Sequence, residues 1–306
     1  MIEVLKPGFY TLIQDAGRFA YQEFGMPISG VLDMDSYRLA NWLVGNRTGE
    51  AVLEIVIQGP KLQFKKDTFI ALTGADVSPK VDGYTISMYK TIRILKGSVL
   101  SFGELKNGYR CYLSINGGLT IENEMGSRST YTYAAIGGLK GRELRKNDVL
   151  KLAVQKRLKI RDIPIEFRTR QFSTMSVRVM EGPEFELLPI CDREVLFNQE
   201  FTLGHNSNRM GCRLEGTPLN AIKKEIISSG AVNGTIQLPA NGNPIVLLAE
   251  AQTTGGYPRI AIIIKADLPL LAQQKPGDKI RFRKVSLEQA QAIGFNKEKR
   301  FQELLK

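Results

Sequence analysis

Short runs of β-forming residues, each bounded by turn residues, recur along the 306-residue chain and constrain its fold more than any other feature. Runs such as Val52–Ile57, Val99–Phe102 and Arg259–Ile264 have the Val, Ile, Leu and Phe content that is typical of strands. Asp82-Gly83 and Asn107-Gly108 lie between such runs, and glycine after Asp or Asn supplies the positive φ of a tight hairpin. The pattern predicts a mainly β chain made of barrels or sandwiches rather than a doubly wound sheet.

Helical patterns are few and short. Asp33–Val44 has an acidic cap at its start and Gly45 at its end, and Asp267–Gln273 begins at a second Asp. Ser286–Ile293 has Ser and Gln at capping-box spacing and a glycine after it, and Asn296–Leu305 follows as a separate terminal helix. We therefore expect a few short helices around a β framework.

The length exceeds the size at which one hydrophobic core usually keeps growing, which favours two domains. Three segments share a tight turn followed by an alternating strand: Lys96–Phe102, Lys146–Leu152 and Pro276–Phe282. They indicate either shared turn chemistry or two related barrels. A basic stretch separates the first two copies from the third, so we predict a β-rich domain over 1–165 and a second β-barrel domain, with terminal helices, over 166–306.

The net charge of +11 does not come from a concentrated basic patch. Its densest stretch, Lys151–Arg170, has one aromatic residue and no nucleic-acid-binding signature, so we expect no nucleic-acid partner. The longest apolar runs are strand-length, and no signal-peptide pattern opens the chain. The three scattered cysteines suit reduced thiols. These features together predict a cytoplasmic protein without a membrane partner.

Residue types limit the chemistry further. The single histidine, His205, excludes a multi-histidine metal site, and we predict no metal site at all. Neither G-x-x-x-x-G-K-[ST] nor G-x-G-x-x-G occurs, so both common nucleotide fingerprints are absent from the sequence. Chemistry on this chain would depend on backbone donors, Arg, Gln, Thr, Tyr and carboxylates.

The segment Glu250–Pro258 is the sharpest candidate site. It joins two apolar runs and reads Glu-Ala-Gln-Thr-Thr-Gly-Gly-Tyr-Pro. Its glycines would let a ligand approach the backbone, where N–H groups can hold a carbonyl oxygen or an anion, and Glu250 could serve as a base or metal ligand. The alternative is a tight connection whose Thr and Gly serve turn geometry only.

Two further segments carry arginine among small polar residues. Arg209 and Arg213 are four residues apart and could clamp a carboxylate, or could form surface ion pairs with Glu215. Ser127, Arg128 and Ser129 lie between glycine-rich stretches and could form an anion-binding nest, although such strings also make ordinary loops.

The order of the polar motifs resembles the KipA-like family, also called allophanate hydrolase subunit 2-like or the 5-oxoprolinase C subunit, from about Leu5 to Val285. The motifs are Gln14-Asp15-x-Gly17-Arg18, Ala40-Asn41-x-Leu43-Val44-Gly45-Asn46, Leu72-Thr73-Gly74-Ala75-Asp76, Gly126-Ser127-Arg128-Ser129-Thr130, Ser207-x-Arg209-Met210-Gly211, Ile236-Gln237-x-Pro239 and Thr253-Thr254-Gly255-Gly256-Tyr257-Pro258. Many relatives carry Asp-Arg-Gln before the last motif, whereas this chain has Glu250-Ala251-Gln252.

The resemblance implies a fold and an activity. Members are similar to one half of the carboxyltransferase domain of urea carboxylase and include cyclophilin-like barrels. Stand-alone members act with a KipI-like B subunit plus an A subunit, in a complex that opens 5-oxoproline to glutamate at the expense of ATP. The expected enzyme is thus an ATP-hydrolysing lactam hydrolase that is inactive as a single subunit, with ATP held by a partner or at an interface.

Two alternative functions are also compatible with the motifs. One is a component of a biotin-dependent carboxyltransferase, which would use biotin, and the other is a non-enzymatic regulator that binds a KipI-like kinase inhibitor. For the oxoprolinase, the expected catalytic residues are Glu250 and Arg209. The expected substrate-binding residues are Gln237, Gln252, Thr253, Thr254, Gly255, Gly256, Tyr257, Arg128, Ser127 and Ser129.

Overall fold

Strands predominate in the computed structural model, which describes residues 1–168, 174–220, 222 and 226–306. The chain forms two compact units. Unit 1 comprises Met1–Phe19 and Ser29–Gln171, and unit 2 comprises Ala20–Ile28 and Phe172–Lys306. The predicted mainly β class, with barrel and sandwich architecture, is confirmed. The predicted domain limits of 1–165 and 166–306 and the cyclophilin-like assignment stay predictions.

Two antiparallel sheets form unit 1. Their strands are β1 (Ile2–Lys6), β2 (Tyr10–Gln14), β3 (Val52–Val56), β4 (Lys61–Phe64), β5 (Thr68–Asp76), β6 (Pro79–Val81), β7 (Tyr84–Thr85), β8 (Ile92–Ile94), β9 (Val99–Phe102), β10 (Asn107–Ile115) and β11 (Val149–Leu150). One sheet has the order β11-β1-β4-β9-β6-β7 and the other β2-β3-β10-β5-β8. A single apolar core draws on both, with Ile2 and Phe64 from the first and Leu53 and Leu113 from the second. The two sheets therefore pack as a sandwich.

Turn residues explain most breaks between these strands. Asp82 and Gly83 both have positive φ, 51° and 88°, and join β6 to β7 as the predicted hairpin. Asn107-Gly108 is not a hairpin, and that prediction was wrong. Asn107 begins β10 and pairs with Asp76, and the register shifts between Asn107 and Cys111, so Gly108 (φ 70°) lies in an irregular, bulge-like part of a strand.

The one α-helix described in unit 1 is α1 (Met34–Leu43), within one residue of the prediction at each end. Asp33 caps it, because its carboxylate accepts hydrogen bonds from the Ser36 amide at 2.9 Å and the Ser36 hydroxyl at 2.7 Å. The Thr73 hydroxyl of β5 donates to the Ser36 carbonyl at 2.7 Å and ties the helix to the sheet.

A closed seven-stranded barrel forms the centre of unit 2, in the order β12-β19-β16-β17-β14-β13-β20. The strands are β12 (Thr174–Glu181), β13 (Phe201–Leu203), β14 (Gly211–Glu215), β15 (Ser229–Gly230), β16 (Thr235–Gln237), β17 (Ile245–Leu247), β18 (Thr254–Gly255), β19 (Arg259–Ile263) and β20 (Lys279–Lys284). The barrel closes through the parallel pairing of β12 with β20. Strands β15 and β18 form a separate ribbon.

Three α-helices in unit 2 differ from the sequence expectation in instructive ways. Helix α2 (Ile190–Asn198) was not predicted, since Pro189 at its start makes no side-chain cap. Helix α3 (Leu268–Ala272) follows Asp267 as expected, but that carboxylate accepts from Arg178 instead of capping the helix. Helix α4 (Leu287–Leu304) is continuous where two helices were predicted. None of the helices that the structure describes is long and apolar enough to cross a membrane.

Candidate functional site

The segment that joins β17 to β19 is built into the fold more firmly than a simple turn. Its Thr254 and Gly255 form β18 and pair with Gly230 and Ser229 of β15. The Ala231 amide donates to the Thr253 carbonyl at 2.9 Å, which extends the ribbon by one bond. Some of the backbone groups that we expected to bind a ligand are therefore hydrogen-bonded within the chain.

Gly255 is required because the Gln237 side chain lies too close to this position for a Cβ, and not because the backbone is left-handed there. Its φ lies outside the left-handed region, so turn geometry does not explain the glycine. A Cβ at this position would lie 2.6 Å from Nε2 of Gln237 and 3.4 Å from Nε2 of Gln252. The missing side chain leaves room for two glutamine amides beneath the ribbon.

Gln237, at the end of β16, supplies the distinctive group of this site. Its side chain is 1% exposed, and its Oε1 accepts a hydrogen bond from Nε2 of Gln252 at 3.3 Å. Its own Nε2 is buried and finds no acceptor among the described residues. A buried donor without an acceptor is costly, so this amide is poised to bind an acceptor atom of a ligand.

The two predicted catalytic residues pair with each other. Nε of Arg209 donates to Oε1 of Glu250 at 2.5 Å, and the two side chains are 6% and 4% exposed. The Glu250 amide also donates to the Arg209 carbonyl at 3.0 Å. Arg209 pairs with Glu250 here, and not with Glu215 as the alternative interpretation expected. The pair fixes the start of the candidate segment.

A second ion pair holds the other end of the segment, and sequence reasoning missed it. Arg259 donates to both carboxylate oxygens of Glu184, at 2.9 and 2.8 Å, and to the Gly230 carbonyl of β15 at 2.8 Å. Hydrogen bonds from Arg259 lower the pKa of Glu184. No local pattern links residues 75 positions apart, so only the fold identifies this support.

The remaining predicted residues of unit 2 line the outside of the ribbon. Gln252, Thr254 and Gly256 are exposed, Thr253 is half-buried, and the Tyr257 ring is 50% exposed. The structure thus brings Gln237, Gln252 and the ribbon together, with the Gln237 amide buried and Gln252, Thr254 and Gly256 at the surface.

The serine-arginine segment belongs to unit 1, and its donors bind a carboxylate of the chain itself. Oδ1 of Asp15 accepts from the hydroxyls of Ser127 at 2.7 Å and Ser129 at 2.6 Å. Oδ2 accepts from the Arg128 amide at 2.6 Å. The predicted anion nest exists, but Asp15 occupies it, so an external anion would have to displace a buried side chain. The assignment of these three residues to substrate binding stays a prediction.

Metal ligands do not cluster in the described part of the chain. Residues 1–168, 174–220, 222 and 226–306 contain no group of three or more His, Cys, Asp or Glu residues that could hold a metal ion. The three cysteines are free thiols, and two of them, Cys111 and Cys212, are buried.

Comparisons with known proteins place this chain in a family. A family model described as the carboxyltransferase domain, subdomain A and B, matches residues 24–284. The chain belongs to this carboxyltransferase family. This member is 35% identical over 305 residues to the 5-oxoprolinase C subunit of Escherichia coli (strain K12), over 99% of this chain and 97% of that relative. The resemblance read from the motifs is confirmed.

Longer proteins contain a region that is similar to this chain. The urea amidolyase of Saccharomyces cerevisiae is 31% identical over 320 residues, which cover 95% of this chain and 17% of that protein. The crystal structure of the K. lactis urea amidolyase matches with a TM-score of 0.90 at 31% identity, over 97% of this chain and 19% of that one. This chain therefore spans about one fifth of that solved chain.

Proposed function

We propose that this chain is the C subunit of an ATP-dependent 5-oxoprolinase complex that opens 5-oxoproline to L-glutamate. The proposal draws on the identity of 35% with a protein of that name over nearly the full length of both. It also draws on the geometry around Gln237. The complex would include a KipI-like B subunit plus an A subunit.

The buried Nε2 of Gln237 is the observation that carries the proposal. A lactam carbonyl is a poor electrophile, and a donor aimed at its oxygen polarises the C=O bond. Phosphoryl transfer from ATP to that oxygen would make the carbon attackable by water. Water adds to that carbon, the ring C–N bond breaks, and the nitrogen takes a proton to become the amine of glutamate, which leaves an acyl phosphate. A second water then attacks the acyl carbon and releases phosphate, which leaves the side-chain carboxylate of glutamate.

The residues around Gln237 have two further roles, contact with the substrate and positioning of the segment. We assign Gln252, Thr253 and Thr254 to contacts with the substrate, together with Gly255, Gly256 and Tyr257. Arg209 and Glu250 are buried in one ion pair, so we assign them to positioning the segment, in place of the catalytic roles expected from the sequence. Fixing one end of a reactive segment is itself a contribution to rate, because small displacements of a site are costly.

We assign ATP to a partner or to an interface, and the absence of both common nucleotide fingerprints from the sequence supports this assignment. The same division of labour makes the isolated chain inactive. Ser127, Arg128 and Ser129 stay secondary candidates for substrate contact.

A biotin-dependent carboxyltransferase component is the second candidate, because the matching family model is that of a carboxyltransferase domain. The site fits this group too: the Nε2 donor of Gln237 would bind the ureido oxygen of biotin as well as a lactam oxygen. When bound, biotin would supply a carboxyl group for transfer. The chain's own part would be to hold and orient the ureido group.

Reconstitution tests the proposal. The chain is purified with its two partners, the A subunit together with the KipI-like B subunit, and ATP-dependent formation of glutamate from 5-oxoproline is measured. We expect activity from the three together and none when this chain is omitted. Biotin binding to the chain, with no glutamate formed by the full complex, would replace the proposal with the second candidate.

A further inference from the structure

A groove in unit 2 contains none of the residues assigned so far. It has a volume of about 470 Å³ and is lined by helix α2 and by the ends of strands β12 and β20. Its floor is the ring of Phe185, which is 5% exposed, and the half-buried ring of Phe197 lies 6.0 Å from it, measured between ring centres. The groove therefore has an aromatic floor and is open to solvent.

One face of α2 forms a wall of this groove. The residues that line it have the i, i+3, i+4, i+7 and i+8 spacing of a single helix face: Ile190, Arg193, Glu194, Phe197 and Asn198. Leu196 lies on the opposite side of the helix and is fully buried, whereas Ile190 is 75% exposed. Helix α2 thus has a second apolar face, and an exposed apolar patch with a polar rim is typical of an interaction surface.

The rim of the groove carries one negative charge that nothing balances. Arg193 pairs with Glu186 at 2.7 Å, and Lys284 pairs with Glu181, so these four charges cancel. Glu194 is exposed and forms no ion pair or hydrogen bond within the part of the chain that the structure describes. The groove is therefore acidic, although the net charge of the whole chain is +11.

The two cations of the groove are engaged within the chain. Cζ of Arg193 lies 5.3 Å from the centre of the Phe185 ring, and Nζ of Lys284 lies 5.7 Å from it. Nε and Nη2 of Arg193 also donate to the carbonyls of Leu188 at 3.0 Å and Glu186 at 2.7 Å. Both cations are neutralised and held beside the aromatic floor, which disfavours an anionic ligand.

The length of the groove indicates the size of its occupant. Ile190 and Asn198 are the first and last residues of α2, and at a rise of 1.5 Å per residue they are about 12 Å apart. An extended peptide covers that distance in about four residues. The side-chain amide of Asn198 can both donate to and accept from a peptide backbone. These features fit a short extended segment of protein.

We propose that this groove docks an extended segment of a partner protein in which an apolar side chain stands next to a basic one. The apolar side chain packs on Phe185, Phe197 and Ile190. The basic side chain pairs with Glu194, and the backbone of the segment bonds to Asn198. None of these residues is assigned to the 5-oxoprolinase site, so the inference does not depend on the function proposed above.

The test uses the isolated full-length chain and the peptide acetyl-Ala-Leu-Lys-Arg-Ala-amide as the probe. A small trifluoromethyl tag on Cys191 reports binding by fluorine NMR, since Cys191 adjoins the groove and the other two cysteines are buried. Two comparison peptides replace Lys-Arg by Glu-Glu, or Leu by Ala. We expect the probe to bind saturably and more tightly than either. General attraction to a chain of charge +11 would favour the acidic peptide instead.

Ile190→Ser tests the apolar contact. It should weaken probe binding about tenfold, the loss expected for one partly buried aliphatic side chain. Because Ile190 is 75% exposed, the thermal unfolding midpoint should not change. Leu287→Ser is the matched control, since Leu287 is also the first residue of a helix and is 56% exposed. It should leave probe affinity unchanged.

Glu194→Gln tests the charge. It should weaken probe binding about threefold, the value of one exposed ion pair. Glu303→Gln changes the net charge equally at another exposed helical position and should have no effect.

Equal probe affinity in the parent chain and in Ile190→Ser would overturn the docking site. Tighter binding of the acidic peptide would overturn its assignment to a basic segment. Sedimentation of the chain alone tests the other occupant: a dimer that Ile190→Ser dissociates would place a second copy of this chain in the groove and overturn the proposal. All these readouts are taken without ATP, 5-oxoproline or other subunits, so failure of the 5-oxoprolinase proposal would leave them unchanged.

Discussion

At the residue scale, the candidate site depends on an absent side chain and an unsatisfied amide. Gly255 leaves the space that Nε2 of Gln237 occupies, at 2.6 Å from where a Cβ would stand. The sequence offered two reasons for this glycine, approach of a ligand and turn geometry, and the backbone φ does not require the second. The close approach comes from Gln237 at the end of β16, 18 residues earlier in the chain, and no local sequence pattern reveals it.

Gly255→Ala tests that interpretation. The new methyl group must push the Gln237 amide aside, and because the end of a glutamine side chain can move, the free energy of unfolding should change by less than about 1 kcal/mol. The displaced donor should lower kcat/KM of the reconstituted complex on the order of 10²-fold. Gly230→Ala, on the paired strand β15, is the control, since a Cβ there would meet nothing within 4 Å. Equal activity of the two variants would contradict the assignment.

The Arg209–Glu250 pair makes a second prediction at this scale. Glu250→Ala removes the carboxylate that balances a buried guanidinium and should lower the free energy of unfolding by about 3–5 kcal/mol. The double variant Arg209→Met, Glu250→Leu removes both charges and should recover most of that loss. Urea unfolding measures both. A double variant no more stable than the single one would show that the pair is not the main support of the segment.

At the element scale, helices were predictable where their signals are local. Asp33 and Ser36 lie three residues apart and define the start of α1 both in the sequence and in the structure. Helix α2 has no side-chain cap at Pro189, so no local signal marks its beginning. Asn107-Gly108 has the residues of a hairpin, but the partner of β10 decides that it bends a strand instead.

Helix α4 carries a testable exception. Gly294 was predicted to end a helix, yet the helix continues through it, with open space around the position where a Cβ would be. Gly294→Ala should therefore stabilise α4 by about 0.5–1 kcal/mol, seen as slower amide hydrogen exchange in that helix. Gly277→Ala, at a φ of +89°, should destabilise the chain instead. Faster exchange in α4 of the Gly294 variant would argue for a break there.

At the scale of the whole molecule, the recurrence of short strands was enough to predict a mainly β chain, and the closed barrel and the sandwich confirm it. The three turn-and-strand segments share turn chemistry: Gly97, Asn147 and Gly277 all have positive φ. They precede strands in an open sheet and in a closed barrel alike. Ion pairs between residues far apart in the sequence, such as Glu184–Arg259, could not be predicted, because they depend on which elements become neighbours in the fold.

Acid stability is a molecule-wide consequence of such pairs. Arg142 lowers the pKa of Asp148 in unit 1, and Arg259 lowers that of Glu184 in unit 2. Because the folded pKa lies below the unfolded one, each pair stabilises the fold above the ordinary carboxylate pKa of about 4, and this is lost as pH falls through the folded value. The variant Asp148→Asn, Glu184→Gln should show a smaller drop in urea midpoint between neutral pH and pH 3. An unchanged drop would contradict these assignments.

We propose that the buried Nε2 of Gln237 binds the lactam oxygen in a 5-oxoprolinase complex. The most direct measurement is ATP-dependent glutamate formation by the complex reconstituted with Gln237→Met, which keeps the side-chain length and removes the donor. Gln274→Met, at another buried glutamine, is the matched control. We predict a loss in kcat of roughly 10²-fold or more for the first variant and near-parent activity for the second. Parent-like turnover with Gln237→Met would show that this amide does not bind the reacting carbonyl.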